Sequence, residues 1–142
     1  MAPTFRSSDL LLTRKVDSGG LPAQRGDVVV LRRDRVEMIK RVVGVPGDRV
    51  ELEAGRLSVN GQGVGGRRWV RGASRHTWWV PAGSYFMAGD NLALSNDSRV
   101  WDRPFVAFSN VDAVVTRRLV GWPHRRRRLT PRRPVVATGR VV

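Results

Sequence analysis

The chain has no cysteine, which excludes disulfide frameworks, thiol nucleophiles, thiolate-bound zinc and iron–sulfur clusters. Histidine is nearly absent. His76 and His124 are the only two, and neither has acidic neighbours at metal-ligand spacing, which argues against a histidine triad or metal centre. Lysine is as scarce: Lys15 and Lys40 stand beside 24 arginines. Acids are outnumbered 12 to 26, leaving a net charge of +14. No long apolar run occurs either. The longest stretch free of Asp, Glu, Lys and Arg is His76–Gly89, 14 residues that include Pro81, whereas a membrane-spanning helix needs about 20 apolar residues. The start carries no signal-peptide pattern. At 142 residues the chain suits one domain.

The positive charge is unevenly spread. Seven arginines and no acid lie between Pro123 and Val142, so half of the excess belongs to the tail. Such an arm could meet nucleic acid or an anionic membrane surface, or simply be solvated and disordered.

Short β-branched runs separated by turn residues dominate the rest. Asp27–Arg32, Glu37–Val43, Arg49–Leu52, Leu57–Val59, Trp78–Val80, Ser84–Ala88 and Val111–Trp122 read as strands. Gly44–Asp48 is a turn cluster, and Asn60-Gly61 is a strong hairpin signal. Residues 61–77 read as a variable insertion loop, and only Ser8–Arg14 offers a helical face. The pattern predicts an all-β domain of antiparallel sheets, barrel-like or packed, over residues 1–123, with a basic disordered tail over 124–142. Of the five tryptophans, Trp69, Trp78 and Trp79 are candidates for a membrane-interface rim, while others suit the core. His76 reads as a surface residue without a partner.

Two segments carry chemistry. Lys40 lies mid-strand between Ile39 and Val42, where arginine would be this chain's usual cation. Burial disfavours the charged amine, and a neutral lysine can serve as a general base, whereas arginine keeps its proton. A lysine snorkelling from a sheet edge is the alternative. The second segment, Gly89–Arg99, packs Asp90, Asn91, Ser95, Asp97, Ser98 and Arg99 together. It is either a turn rich in side-chain-to-backbone bonds or a loop in which an Asp97–Arg99 ion pair holds Ser95 to orient another group.

In order along the chain, these segments resemble the type I signal peptidase family, whose members use a serine–lysine dyad. Met1-Ala2-Pro3-Thr4 with Ser8-Asp9-Leu10-Leu11 is similar to its first box, and Arg25-Gly26-Asp27-Val28-Val29 to its second. Ile39-Lys40-Arg41 through Gly47-Asp48 is similar to its third, and Gly89 through Arg99 to its fourth. The Asp97-Ser98-Arg99 ending, Trp122-Pro123 and the short insertion resemble the compact actinobacterial and mitochondrial inner-membrane branch. The resemblance implies a serine endopeptidase that removes signal peptides from exported precursors after small residues, without metal or cofactor. It assigns Lys40 as general base and Ser95 as the group orienting it. Asp90, Asn91, Asp97, Ser98, Arg99 and Arg41 support the site, and Met1, Pro3, Asp27, Val28, Val29, Met38 and Ile39 meet the substrate. The substrate would add as a strand near Asp27–Leu31 or Met38–Lys40.

One departure matters. The family's nucleophilic serine immediately precedes the Met-x-Pro-Thr, and here that place falls before Met1. The oxyanion donors and the membrane anchor also belong upstream. The expectation is a start misplaced at an internal methionine, the chain as written lacking activity, with the catalytic domain on the extracytoplasmic face of a membrane. Three rivals remain. A self-cleaving repressor-type serine–lysine protease would lack the Asp-Ser-Arg box. A nucleic-acid-binding barrel would interleave aromatics with its basic residues, which these Val-rich strands do not. A catalytically dead paralogue would serve as partner subunit to an active protease.

Overall fold

The computed structural model describes residues 1, 4–6, 9–16, 21–65 and 75–119. Among the described residues, ten strands form two antiparallel sheets. The larger contains β1 (Leu10–Lys15), β10 (Val111–Leu119), β2 (Val28–Arg33), β3 (Val36–Gly44), β8 (Ser84–Ala88) and β9 (Phe105–Ala107), in that spatial order. The smaller has the order β6 (Gln62–Gly63), β5 (Arg56–Val59), β4 (Arg49–Glu53), β7 (His76–Trp79). A short 3-10 turn, Phe108–Asn110, leads into β10. Neither sheet closes into a barrel, so the antiparallel all-β expectation holds with open sheets.

β8 and the last residues of β3, Val42–Gly44, bury both faces, which explains why they are apolar. Val42, Tyr85 and Met87 enter one core with Val29, Leu31, Val106 and Val114. Val43, Phe86 and Ala88 point the other way, into a core shared with Val50, Leu57 and Val59 of the small sheet. The sheets meet at Gly44, where the β3–β8 register shifts. A Cβ there would lie 2.9 Å from both Val50 Cγ2 and Val80 Cγ2.

Three local expectations need correction. The helical expectation for Ser8–Arg14 fails over its described residues: Leu10–Lys15 is an edge strand, because pairing with β10 satisfies its backbone and outweighs intrinsic preference. Residues 61–77 are not wholly loop, since β6 follows the Asn60-Gly61 turn and β7 begins at His76. His76 does have a partner, stacking on Trp78 with ring centroids 5.6 Å apart. Trp78 packs against the second core, Trp79 is exposed, and Trp101 lies under the Arg33 guanidinium at 4.4 Å. Trp69, Trp122 and the basic tail lie outside the described residues.

Candidate active site

The site forms where β3 passes the chain leaving β8. Lys40 pairs across β2 with Val29 and shares its strand face with Met38 and Val42. Its half-buried Nζ donates to Ser95 Oγ at 3.1 Å. Burial lowers the Lys40 pKa from its ordinary value; the Asp97 charge opposes that shift and the Arg99 charge reinforces it.

Gly89 makes this approach feasible. A Cβ on Gly89 would sit 2.1 Å from Ser95 Oγ and 3.7 Å from Lys40 Nζ. Beyond it the chain folds tightly, the Leu94 and Ser95 amides both donating to the Asn91 carbonyl at 3.1 and 2.9 Å. Asn91 therefore acts here through its main chain. Asp97 and Arg99 are both buried and form a two-pronged ion pair, each N–O distance 2.8 Å. Asp97 also accepts from the Gly89 amide at 2.9 Å and from the Ser95 side chain. Burial alone would raise its pKa, but these bonds, led by that from Arg99, hold the carboxylate below its usual range. Arg99 reaches the Leu92 carbonyl at 2.8 Å. Ser98 binds the Met87 backbone in both directions and so fastens the loop to β8.

On the neighbouring residue of β3, Arg41 grips Asp90 through bonds of 2.8 and 2.9 Å and the Gly26 carbonyl at 2.6 Å. Asp90 also accepts from the Thr4 side chain and feels the α-amino charge of Met1. Burial pushes the Asp90 pKa up; the Arg41 and Thr4 bonds and the neighbouring positive charges outweigh it and leave it lowered. These contacts bring the first segment of the chain to the site.

An open cleft of about 540 Å³ runs along the residues of β3 that precede Lys40, lined by Met1, Phe5, Arg6, Val30, Glu37, Met38 and Ile39. β8 pairs with β3 only over Arg41–Gly44, so Val36–Lys40 has no strand on that side among the described residues. The other expected docking edge fails. β2 is flanked by β10 and β3, and Val28 and Val29 are buried, Val29 completely. Asp27 is spent on its own turn, accepting from the Gln24 amide at 2.8 Å while its carbonyl receives the Val42 amide. Pro3 lies outside the described residues. Gly89 and Thr4 stand within the sequence motifs, but the motifs assign them no role. The signal for Gly89 was its place directly before Asp90-Asn91; nothing local marks Thr4 as a partner of Asp90.

Comparison with known proteins adds a family. The model of the family described as "Signal peptidase, peptidase S26" matches residues 1–122. A signal peptidase I of Pseudomonas fluorescens is 34% identical over 167 residues, covering 85% of this chain and 59% of that protein. That alignment is longer than the chain itself, so the relative carries residues inserted between the matched segments. The chain thus spans about three fifths of that relative's length. Signal peptidase I V of Bacillus subtilis is 32% identical over 120 residues, covering 70% of this chain and 69% of the relative. A crystal structure of a signal peptidase I from Enterococcus faecalis superposes with a TM-score of 0.54 at 28% identity, covering 66% of this chain and 97% of that one.

Proposed function

Since the chain belongs to the type I signal peptidase family, peptidase S26, we propose that it is the catalytic part of a serine endopeptidase that removes signal peptides from exported precursors through a serine–lysine dyad. The observation that carries this reading is the 3.1 Å contact between the half-buried Lys40 amine and Ser95, beside the open edge of β3. In this reading the nucleophile is a serine directly ahead of Met1, where the family's first box puts it. Met1 lines the cleft, so a preceding residue would emerge next to it.

The chemistry follows from the lowered lysine. Neutral Lys40 takes the serine proton as the hydroxyl oxygen attacks the scissile carbonyl, then gives it to the departing amine. Water repeats the sequence on the acyl-enzyme. The precursor lies extended along Val36–Lys40 as an added strand, and the Met1, Met38 and Ile39 side of the cleft receives the small residues before the cut. The catalytic domain would work at the extracytoplasmic face of a membrane, held by an upstream anchor. Among the described residues no helix is long and apolar enough to cross one.

The test is the chain carrying a serine ahead of Met1, joined to a membrane anchor, and assayed on a precursor with an Ala-x-Ala cut site. Processing is expected, lost by about 100-fold or more in Lys40→Ala. Because deprotonated Lys40 is the active form, kcat/KM rises with pH, with a midpoint below the ordinary lysine value of about 10.4. Equal processing by Lys40→Ala would sink the reading.

A further inference from the structure

One side chain of β10 reaches the residues that come before the first strand. The β1–β10 register places Arg118 opposite Leu11, just beyond Asp9. Its Nη1 donates to the Thr4 carbonyl at 2.8 Å and lies 3.6 Å from Asp9 Oδ2. The second distance is too long for a hydrogen bond and acts through charge. The Asp9 side chain is only 6% exposed, and its Oδ2 accepts the Arg6 amide at 2.9 Å. A carboxylate so enclosed needs a cation, and among the described residues Arg118 is the one within 4 Å.

Thr4 is therefore held from two directions. Its carbonyl takes Arg118, while its side chain donates to Asp90, which Arg41 fixes next to Lys40. The adjoining Phe5 amide donates to the Met1 carbonyl at 3.1 Å. Contacts thus run without a break from the Arg118 guanidinium to Thr4, through the Thr4–Phe5 peptide bond, and back to Met1. We propose that Arg118 is a positioning residue for the nucleophile: it fastens the segment led by the serine to β10 and so fixes where that serine stands relative to Lys40. This rests on the reading that a serine lies directly ahead of Met1. Lys40 is set by β3, and Ser95 by the loop after β8. A serine ahead of Met1 precedes Leu10, the first residue paired into a sheet, so the sheets alone do not place it. Misplacement by an ångström would cost much of the rate. Arg117, opposite Leu12, carries the same charge and makes no ion pair among the described residues, so it supplies the control.

Two measurements test the tether. In the chain of 142 residues, Arg118→Met is expected to speed amide exchange at Phe5 and Asp9, which donate to the Met1 and Arg6 carbonyls, by about 10-fold or more. Arg117→Met should leave both rates near those of the parent, and equal rates in the two variants overturn the proposal. In the serine-extended, anchored chain, Arg118→Met should lower kcat by about 10-fold or more with KM little changed. The pH midpoint of kcat/KM should stay where it is, because the surroundings of Lys40 are untouched. Arg118→Lys, which keeps a donor and the charge, should restore most of the loss. A shifted midpoint would place the effect on Lys40 and overturn the proposal, as would kcat equal to that of Arg117→Met. If Arg118→Met fails to fold because Asp9 is left unpaired, the double variant Asp9→Asn/Arg118→Met removes that charge while Thr4 still lacks its donor. The same fall in kcat is expected there, and parental kcat overturns the proposal. Exchange needs no turnover. Faster exchange in an inactive extended chain would count against the proposed function and uphold the tether.

Discussion

Lys40 and Ser95 can meet only because Gly89 has no side chain. A methyl group at that position would come 2.1 Å from Ser95 Oγ and 2.7 Å from Ser95 Cβ, well inside contact distance. Neither atom can retreat freely, since the Ser95 amide is bonded to Asn91 and its hydroxyl to Asp97. In the serine-extended chain, Gly89→Ala is therefore expected to lower kcat by about 100-fold, the usual cost of displacing a catalytic group by an ångström or so. Turnover assays paired with a thermal melt check it; parental kcat in the folded variant would show that the loop has room. Lys40 itself was legible from scarcity, as one of two lysines in a chain that otherwise chose arginine. The Asp97–Arg99 ion pair was legible too, from its place in the polar loop. That Asp90 pairs with Arg41 depends on how the loop turns.

Hairpin turns set the register of the strands that carry the site. The Ala54-Gly55 and Asn60-Gly61 turns have positive φ at both central residues, as tight two-residue hairpins require. The β2–β3 hairpin makes the same turn with Asp34 at φ 49° and Arg35 at φ 65°, neither of them glycine. An L-residue in this region costs about 1–2 kcal/mol, and aspartate tolerates it better than arginine. Arg35→Gly is expected to recover about 1 kcal/mol and raise the melting temperature by several degrees. Because the turn lies at the far end of β3 from Arg41, activity should stay within twofold of the parent. A lower melting temperature would mean that the Arg35 side chain stabilises more than its backbone strains. Asn60-Gly61 announces its turn in sequence, whereas Asp34-Arg35 does not. Likewise Leu10-Leu11-Leu12 fits a helix or a strand equally well until β10 offers an edge to pair with.

At the scale of the whole molecule, the two sheets are joined by Asp48. Its nearly buried carboxylate accepts from Arg25 of the β2 approach, from the Val45 amide of the β3–β4 turn, and from Asn60 of the β5–β6 hairpin. Asn60 Oδ1 in turn accepts from the Arg49 amide at 2.9 Å. Arg25 adjoins Gly26, whose carbonyl holds Arg41 beside Lys40, so the junction and the site share a turn. Asp48→Asn is expected to cost about 2 kcal/mol, since its charge-assisted bonds are replaced by weaker ones in a buried place. Burial raises the pKa of Asp48, but the bonds from Arg25, Val45 and Asn60 overcome it, and the net shift is downward. Asp90 and Asp97 are also lowered. Carboxylates with folded pKa values below the unfolded value of about 3.9 contribute stability that is complete above it and lost as pH falls through the folded values. Urea unfolding at neutral and strongly acidic pH should thus show acid weakening in the parent, and less of it in Asp48→Asn. Equal acid sensitivity in both would remove Asp48 as a contributor.

The sequence by itself determined the all-β class, the antiparallel strands from Val28 to Ala88, and the candidate base and loop. Alternating β-branched residues, turn dipeptides and one anomalous lysine are local signals, and local physics suffices to read them. Only the tertiary structure decided that Val29 is core rather than cleft, that β2 has no free edge, and that Leu10–Lys15 is a strand. It also decided that residues 55 positions apart, Lys40 and Ser95, share a hydrogen bond. Strand order, edge exposure and the room left by an absent Cβ arise from how distant segments pack, and no window of neighbouring residues contains them.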